Sequence, residues 1–507
     1  MLSYNYNKLR SYSQENGGRV LLLFLLFLLA IYELINAGFN SFAIICISPA
    51  IILFVYAVFR WRYAAFCLLI VVNYLIPFKL IHWPLPSSLI DEALELVLIA
   101  VTLIDVRLTP HFGRAVNIMF AALMIWFGLC FIELFNDTCG LGINFNAWFT
   151  GVRILALQLL WIVLVFSIYI NSPKSLIIYL RLWAGLSLFS AFWTWKMINI
   201  GLAPEESAFL ANSRTHVLNA GTLIRYWSTF TDAANYGCNA AAASSAFLVL
   251  SITSKFKIDK IFFLITAVAV IWGMFQSGTR TAIYCLMLGL FVFLILSKSI
   301  RIIIPCAIAF AFFVFILVFT NIGNGNQQIR RMRSAFDRND ASSNVRDINK
   351  TAIAKYMKDA PWGIGIGMMA DNIPANNKFN RLSNIPPDSE YVFIWVRTGP
   401  IGVTVFTFCM ILMLAGASYT VLFKLKNRSL IGVGGSLCSA FAAIQLGGYA
   451  NQILFQYPNG LIFFGGLAIV YVLPSLESEW VKYEEERLAE QEERKRQKLE
   501  KRLASRV

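Results

Sequence analysis

Apolar stretches of about twenty residues recur along this chain from Val20 to Leu473. A helix of that length crosses the hydrocarbon core of a bilayer. Of the 507 residues, 58% are hydrophobic and 14% are charged, whereas soluble domains are about 25% charged. The sequence therefore predicts an all-α polytopic membrane protein with about fourteen transmembrane helices. The predicted spans cover residues 20–37, 39–59, 63–80, 89–106, 115–135, 147–170, 176–198, 233–252, 259–276, 280–297, 300–320, 389–418, 430–450 and 453–474.

Lysine and arginine concentrate in alternate connections between these spans. The basic connections are FRWR, RLTPHFGR, SKFKIDK, SKSIR and KLKNR, whereas NAGFN and IHWPLPSS, on the opposite side, carry no lysine or arginine. Short basic connections face the cytoplasm, so an even number of spans places both termini there. The net charge of +15 thus reflects orientation and lipid contact. No basic stripe interleaved with aromatic residues is present, and nucleic acid is not an expected partner.

Two long segments, at about 199–232 and 321–388, interrupt the spans on the predicted non-cytoplasmic side. In the second, Val345, Ile348, Ala352 and Tyr356 recur at helical spacing. This spacing predicts an amphipathic helix on the membrane surface or over a cavity. Residues 1–474 are predicted to form a transmembrane domain and the charged residues 475–507 a cytoplasmic helical tail. A solvated tail is the simple interpretation; regulation or self-association is the alternative.

Arginines gather in the parts predicted to face away from the cytoplasm. Arg214 and Arg225 lie in the first long segment, Arg280 in a turn between two spans, and Arg346 in the second long segment. Charge statistics disfavour arginine on that side. Because the guanidinium fork binds phosphate oxygens bidentately, these four arginines are candidate ligands of a diphosphate. For Arg280, snorkelling to lipid headgroups or pairing with Asp232 is the alternative.

Carboxylates at two places offer acid–base chemistry. Asp388 and Glu390 stand at the mouth of a predicted span, where they are either a general base for a hydroxyl or a charge preference of the helix N-terminus. A rival site comprises four acids within predicted spans: Asp91, Glu92, Glu95 and Glu133. Such acids commonly mark ion pathways and would suit a transporter. However, no pair of interrupted helices occupies matching positions in two halves of the chain.

Four motifs occur in a fixed order over residues 220–420: RYWSTFTDAANYG, SGTRTAIY, SSNVR followed by PWGIGIG, and DSEYVFIWVRTGPIG. Their order resembles the O-antigen ligase and Wzy-type polymerase superfamily of bacterial envelope glycosyltransferases. The resemblance implies a GT-C-like helical bundle in the inner membrane, with an active site facing the periplasm. It implies that Arg225 and Arg280 hold a lipid diphosphate and that Arg346 is the basic residue of the outer helix.

The resemblance also implies a function. Asp388 and Ser389 stand where ligases of the family often have a His-Asn pair, so Asp388 or Glu390 would serve as the base. This departure favours a Wzy-type polymerase over a ligase or O-oligosaccharyltransferase that acts on lipid A core or protein. A lipid-linked glycan flippase is the alternative from another class.

The expected partners are an undecaprenyl-diphosphate-linked oligosaccharide, a glycan acceptor, membrane lipids, a flippase and a chain-length regulator. A diphosphate is a good leaving group once arginines hold its negative charge. No cofactor or metal is therefore expected.

Overall fold

The computed structural model describes residues 17–36, 52–83, 87–105, 111–213, 218–219, 223–298, 300–320, 322, 325, 327–333 and 341–504. The chain forms two compact units, Met1–Ala65 and Phe66–Val507. The first unit contains helix α1 (Gly17–Asn36) and helix α2 (Ile52–Arg60). The leucine and phenylalanine side chains from Leu21 to Leu29 are exposed along α1, as expected for a helix surrounded by lipid.

Helices make up most of the second unit. They are α3 (Arg62–Leu75, which begins in the first unit), α4 (Ser87–Ile104), α5 (Phe112–Ala115), α6 (Ile118–Ile132), α7 (Phe145–Tyr169), α8 (Pro173–Asn199), α9 (Pro204–Asn212), α10 (Ala233–Thr253), α11 (Lys257–Gln276), α12 (Thr281–Leu296), α13 (Ile300–Phe319), α14 (Gln327–Arg333), α15 (Ala341–Met357), α16 (Lys378–Ser383), α17 (Glu390–Tyr419), α18 (Arg428–Ala450) and α19 (Gly465–Ala504). Among the described residues, two short strands, β1 (Leu218–Asn219) and β2 (Leu223–Ile224), pair antiparallel.

Eight helical stretches of the described chain are long and apolar enough to cross a membrane, or nine if α2 and α3 form one bent span. The prediction of an all-α polytopic membrane protein is thereby confirmed. Helices coincide closely with the predicted spans; for example, the span predicted at 233–252 is α10. The total of fourteen stays a prediction, since α12 has only 16 residues and residues 37–51 lie outside the described part.

Helix α10 occupies the core of the second unit and packs against α11, α12 and α18. Its middle, Ala240 to Ser245, consists of alanine and serine and is buried. Small side chains allow helix backbones to approach closely where lipid supplies no hydrophobic drive for association. A Cβ on Gly289 of α12 would lie 2.7 Å from Ser245 Oγ of α10 and 3.1 Å from the Ser439 carbonyl of α18. The position therefore has no room for a side chain.

The second long segment folds over the beginning of α17. Ile353 and Met357 of α15 pack with Phe379 and Leu382 of α16 and with Val396 of α17. The predicted amphipathic helix is present as α15, Ala341–Met357.

Only part of the predicted apolar stripe of α15 is turned inward. Val345 and Ile348 are 54% and 66% exposed, whereas Tyr356 is partly buried and packs against the cluster that contains Ile353. The predicted stripe therefore splits into one exposed apolar face and one packed face.

Residues 390–398 form a separate arm of α17. At Gly399 the backbone takes φ +67, and Pro400 follows, so the helix bends between this arm and residues 400–419. Positive φ is readily accessible to glycine, which lacks Cβ. The Gly363–Gly367 loop lies against the arm, with Ile364 N–H donating to the Val396 carbonyl at 2.9 Å. The second long segment and the start of α17 thus form one packed body.

The charged tail continues the last helix without a break. Helix α19 runs through Pro474 and carries Trp480 and Glu484 as buried residues. Trp480 Nε1 donates to Ser429 Oγ at 2.8 Å, and Ser429 Oγ donates to Glu484 Oε1 at 2.5 Å. The first turns of the tail are therefore docked on the start of α18.

Candidate active site

The site lies where α10, α12 and α17 begin and α18 ends. Asp232 caps α10: its Oδ1 accepts hydrogen bonds from the backbone N–H groups of Ala234 at 2.7 Å and Asn235 at 2.9 Å. Aspartate is a preferred N-cap because its carboxylate satisfies N–H groups that have no partner within the helix. Strand β2 leads directly into Arg225, seven residues before this cap. The capped helix α10 and the β hairpin thus lie at the two ends of the segment that carries Arg225.

Arg225 is held on the turn that carries Arg280. Its Nε donates to the Ser277 carbonyl at 3.3 Å, and its Nη2 donates to Thr279 Oγ1 at 3.2 Å. The Thr279 hydroxyl in turn donates to the Ala233 carbonyl at the start of α10. Arg280 is the residue immediately before α12, at the site end of that helix. The structure therefore brings Arg225 next to the turn that carries Arg280.

A third guanidinium approaches from the second long segment. Arg346 of α15 donates through Nη2 to Asn451 Oδ1 at 3.4 Å, just after the end of α18. Burial lowers the pKa of the Arg225 guanidinium; the Asp232 carboxylate opposes this, and Arg280 and Arg346 lower the pKa further. The Arg225 guanidinium therefore lies within electrostatic range of Arg280 and Arg346. Like charges gathered at one place attract an anion.

Asp388 lies beside this cluster. Asn349 Nδ2, one helical turn after Arg346 on α15, donates to Asp388 Oδ2 at 2.7 Å. Asp388 is half-buried and has φ +55, a left-handed conformation that aspartate tolerates better than most residues. Strained backbone positions cluster at functional sites. The structure thus holds one carboxylate near the arginines, with access to solvent.

Glu390 is placed differently. It is buried, and its Oε2 accepts the Leu454 N–H at 3.0 Å. As the first residue of α17 it also sits where a helix favours negative charge. The carboxylate therefore ties the 451–459 connection to α17, and this structural task matches the alternative interpretation given to it from sequence.

A cavity of about 510 Å³ is lined in part by Glu390. It lies between α7, the glycine loop, the arm of α17 and the 451–459 connection. Its lining includes residues from each of these elements: Thr150 and Gly151, Ile366 and Gly367, Glu390, and Gln452 and Gln456. The volume falls within the 300–1,000 Å³ range typical of ligand sites.

The cavity is joined to the arginine cluster by hydrogen bonds. The Thr231 hydroxyl contacts Gln456 Oε1, and Thr231 precedes the cap residue Asp232. Asn235 Nδ2 donates to Thr231 Oγ1 at 2.8 Å and to the Tyr457 carbonyl at 3.0 Å. The connection 451–459 therefore forms a wall shared by the cavity and the cation site.

Sequence reasoning missed several residues of this region. Lys79 lies past the end of α3; burial lowers its pKa, and the Asp232 carboxylate raises it. Arg331 Nε donates to the Gly278 carbonyl at 2.7 Å and so supports the turn that carries Arg280. Gln452 and Gln456 are spaced four apart in YANQILFQYPN, a pattern that could have indicated a polar helical turn. Arg214, a predicted diphosphate ligand, lies outside the described residues.

The four rival acids are all buried. Asp91 accepts hydrogen bonds at 3.0 Å from Asn73 Nδ2 and Gln158 Nε2, and Glu92 pairs with Arg153 Nη1 at 3.0 Å. Glu133 accepts from Asn136 Nδ2 at 2.8 Å. Three of the four acids thus have identified partners, which gives each a structural task. The Glu95 carboxylate is buried and has no hydrogen-bond partner among the described residues.

The O-antigen ligase family model matches residues 262–407 of this chain. This match confirms the resemblance to the O-antigen ligase and Wzy-type polymerase superfamily that the sequence motifs predicted. No curated protein matches it. The matched residues of this O-antigen ligase domain include Arg280, Arg346, Asp388 and Glu390, whereas Arg225 precedes the match. The matched family is one of glycosyltransferase-like ligases and polymerases that act on lipid-linked glycans in a membrane.

Proposed function

We propose that this protein is a Wzy-type glycosyltransferase that joins repeat units of a surface polysaccharide. The donor would be an oligosaccharide on undecaprenyl diphosphate, and the acceptor a hydroxyl group of a second glycan. One observation carries the proposal: Arg225, Arg280 and Arg346 gather next to Asp388, beside a cavity of about 510 Å³. Cations placed together in this way suit a diphosphate.

The chemistry follows from that arrangement. The acceptor oxygen attacks the anomeric carbon while the bond from that carbon to the diphosphate oxygen breaks. Arg225, Arg280 and Arg346 stabilise the negative charge that develops on the leaving diphosphate. Donors already held in place need little reorganisation during the reaction. No metal is required by this scheme, because the guanidinium groups supply the positive charge.

Asp388 is our choice for the general base. The acceptor hydroxyl loses its proton to this carboxylate as the new glycosidic bond forms, in a single displacement that inverts the anomeric centre. Asp388 is half-buried and bonded to an amide, whereas the Glu390 carboxylate is buried and engaged with the Leu454 N–H. Glu390 lines the cavity but is buried, whereas Asp388 is more exposed and lies beside the arginines, and we therefore choose Asp388.

The topology belongs to the same proposal. We place the protein in the bacterial inner membrane as a GT-C-like bundle of fourteen spans over residues 1–474, with both termini in the cytoplasm. The long segments 199–232 and 321–388 then face the periplasm, and Arg214 joins the diphosphate ligands. Residues 475–507 form the cytoplasmic tail. A flippase supplies the donor, and a chain-length regulator limits the product.

Incubation of the purified full-length protein with synthetic undecaprenyl-diphosphate oligosaccharide tests the proposal. We expect a ladder of longer lipid-linked glycans on gels, with masses rising by one repeat unit. Transfer only to added lipid A core or to protein would identify a ligase or O-oligosaccharyltransferase instead. Movement of unchanged substrate between leaflets of proteoliposomes, without new glycosidic bonds, would identify a flippase.

A further inference from the structure

A buried arginine lies away from the turn that holds Arg225 and Arg280. Arg397 is on the arm of α17, two residues before the bend at Gly399, and is 5% exposed. Its backbone carbonyl accepts the Gly365 N–H at 3.0 Å, so the glycine loop covers it. The side chain is therefore fixed in the packed body formed by the second long segment and the arm.

The guanidinium of Arg397 is poorly satisfied. Its Nη2 contacts the sulfur of Met369 at 3.0 Å, and its Cζ lies 5.0 Å from the centre of the Phe393 ring. Nε and Nη1 are buried, and among the described residues neither has a hydrogen-bond partner. A thioether is a weak acceptor. A buried charged donor left without an acceptor is costly, which points to a ligand that supplies one.

Both contacts of this guanidinium are also walls of the cavity. Met369 and Phe393 line it, so Arg397 lies directly behind that wall. Met369 is 47% exposed, and methionine is flexible and unbranched. Movement of this one side chain would open Nη2 and its neighbours to the cavity. An oxyanion would then replace the sulfur as acceptor.

The remaining cavity wall suits a glycan. Four amide side chains line it, those of Asn146, Asn372, Gln452 and Gln456. Phe393 and Phe455 add aromatic faces. Amides bind hydroxyl groups as donors and acceptors, and apolar rings pack against the carbon–hydrogen faces of sugars. The charged lining residue Glu390 is occupied by the Leu454 N–H.

We propose that Arg397 binds an acidic group, carboxylate or phosphate, carried by the glycan that occupies this cavity. The inference rests on the proposed function and deepens it: the substrate is an anionic glycan. Arg397 would be a specificity residue, separate from the arginines that hold the diphosphate. An oxyanion accepts two parallel N–H bonds from one guanidinium, which satisfies the buried donors.

Binding of defined oligosaccharides tests this inference independently of turnover. The probes are trigalacturonate and its methyl ester, which has the same sugars without the charge. Titration of the detergent-purified full-length protein is expected to show at least about tenfold tighter binding of the acid, since one hydrogen bond to a charged group is worth that much. The preference is expected to disappear in Arg397→Gln and to persist in Arg280→Met. Equal binding of the two probes to the unaltered protein would overturn the inference.

Further arms separate the sources of the anion. Inorganic phosphate that binds Arg397 while trigalacturonate does not would overturn the glycan assignment. Dependence of the preference on phosphatidylglycerol in nanodiscs, relative to phosphatidylcholine, would assign Arg397 to a lipid headgroup. Met369→Ala keeps Arg397 and removes the wall, so binding of the acid should strengthen; weaker or unchanged binding contradicts the inference even if Arg397→Gln fails to fold. Arg181→Met is the matched control and is expected to leave the preference unchanged.

Discussion

The two ends of the second unit use basic residues in opposite ways. At the tail end, Asp259 contacts Arg487 at 2.6 Å and Arg181 at 2.7 Å, and Glu484 contacts Lys255 at 2.7 Å. At the site end, Arg225 donates to the Ser277 carbonyl and the Thr279 hydroxyl. Its pKa is lowered by burial and further by two neighbouring arginines.

The difference separates two tasks of one side-chain type. Ion pairs between opposite charges join structural elements. Here they join the tail helix to the end of α10 and to the beginning of α11. Like charges in proximity repel each other and persist where function needs them. The presence of lysine and arginine alone would not distinguish these ends, because both contain them. The comparison predicts that substitutions at the site end reduce activity, whereas substitutions at the tail end reduce stability.

The largest effect is expected from the site arginines. Arg280→Ala and Arg225→Ala should each reduce glycan transfer roughly a thousandfold, since preorganised donors to a developing anion are worth that much. The measurement is the rate of lipid-linked glycan extension by purified protein. Arg181→Ala is the matched control: Asp259 keeps Arg487 as a partner, and transfer should continue. Near-normal transfer in Arg280→Ala would remove that residue from the site.

The next largest effect on the rate of transfer is expected from Asp388, and a smaller one from Glu390. Asp388→Asn should slow transfer roughly a hundredfold through loss of the base, while the protein remains folded. The new amide can still accept the Asn349 hydrogen bond, so the local structure is kept. Glu390→Gln should change the rate by less than about tenfold, because its oxygen can still accept the Leu454 N–H. A reversed order in the same assay would exchange the roles of the two residues.

A smaller effect, on stability, is expected at the tail end. Glu484 is buried and accepts hydrogen bonds from Lys255, Asn427 and Ser429. Glu484→Gln should lower the free energy of unfolding by about 1–3 kcal/mol, because a charged acceptor of buried donors is lost. Thermal unfolding followed by tryptophan fluorescence measures the change. Transfer per folded molecule should stay constant, and a loss of transfer without a loss of stability would connect the tail to catalysis.

The smallest effect is expected at an exposed ion pair. Lys378 and Asp359 are 3.3 Å apart, with side chains 59% and 63% exposed. Solvent screens such pairs, so Lys378→Ala should change stability by less than about 0.5 kcal/mol. The same unfolding experiment checks this. A change as large as that of Glu484→Gln would show that contact with a carboxylate, and not burial, determines the contribution of a cation.

Much of the helical architecture could be read from hydrophobic periodicity. The span predicted at 430–450 is α18, and the span predicted at 176–198 lies within α8. Length and apolarity suffice here, because a backbone in lipid must satisfy its own hydrogen bonds. The tail was different. Its charges predict a solvated helix, yet Glu484 is buried because Ser429 and Trp480 surround it.

The candidate site was predictable in its arginines and not in its carboxylates. Arg225, Arg280 and Arg346 were candidates before any geometry was available, because the charge rule disfavours arginine in segments predicted to face away from the cytoplasm. Asp388 and Glu390 are two residues apart and look equivalent in the sequence. Arg397 looks like an ordinary member of its motif, and only its missing hydrogen-bond partners set it apart.

The sequence by itself indicated a membrane protein, the positions of most of its helices, and the arginines in segments predicted to face away from the cytoplasm. These properties are local, since apolar length and charge can be counted along the chain. Tertiary structure alone decided which cations meet, which carboxylate faces solvent, and which guanidinium stays unsatisfied behind a cavity. Those properties depend on contacts between residues far apart in the chain, and no local pattern encodes them.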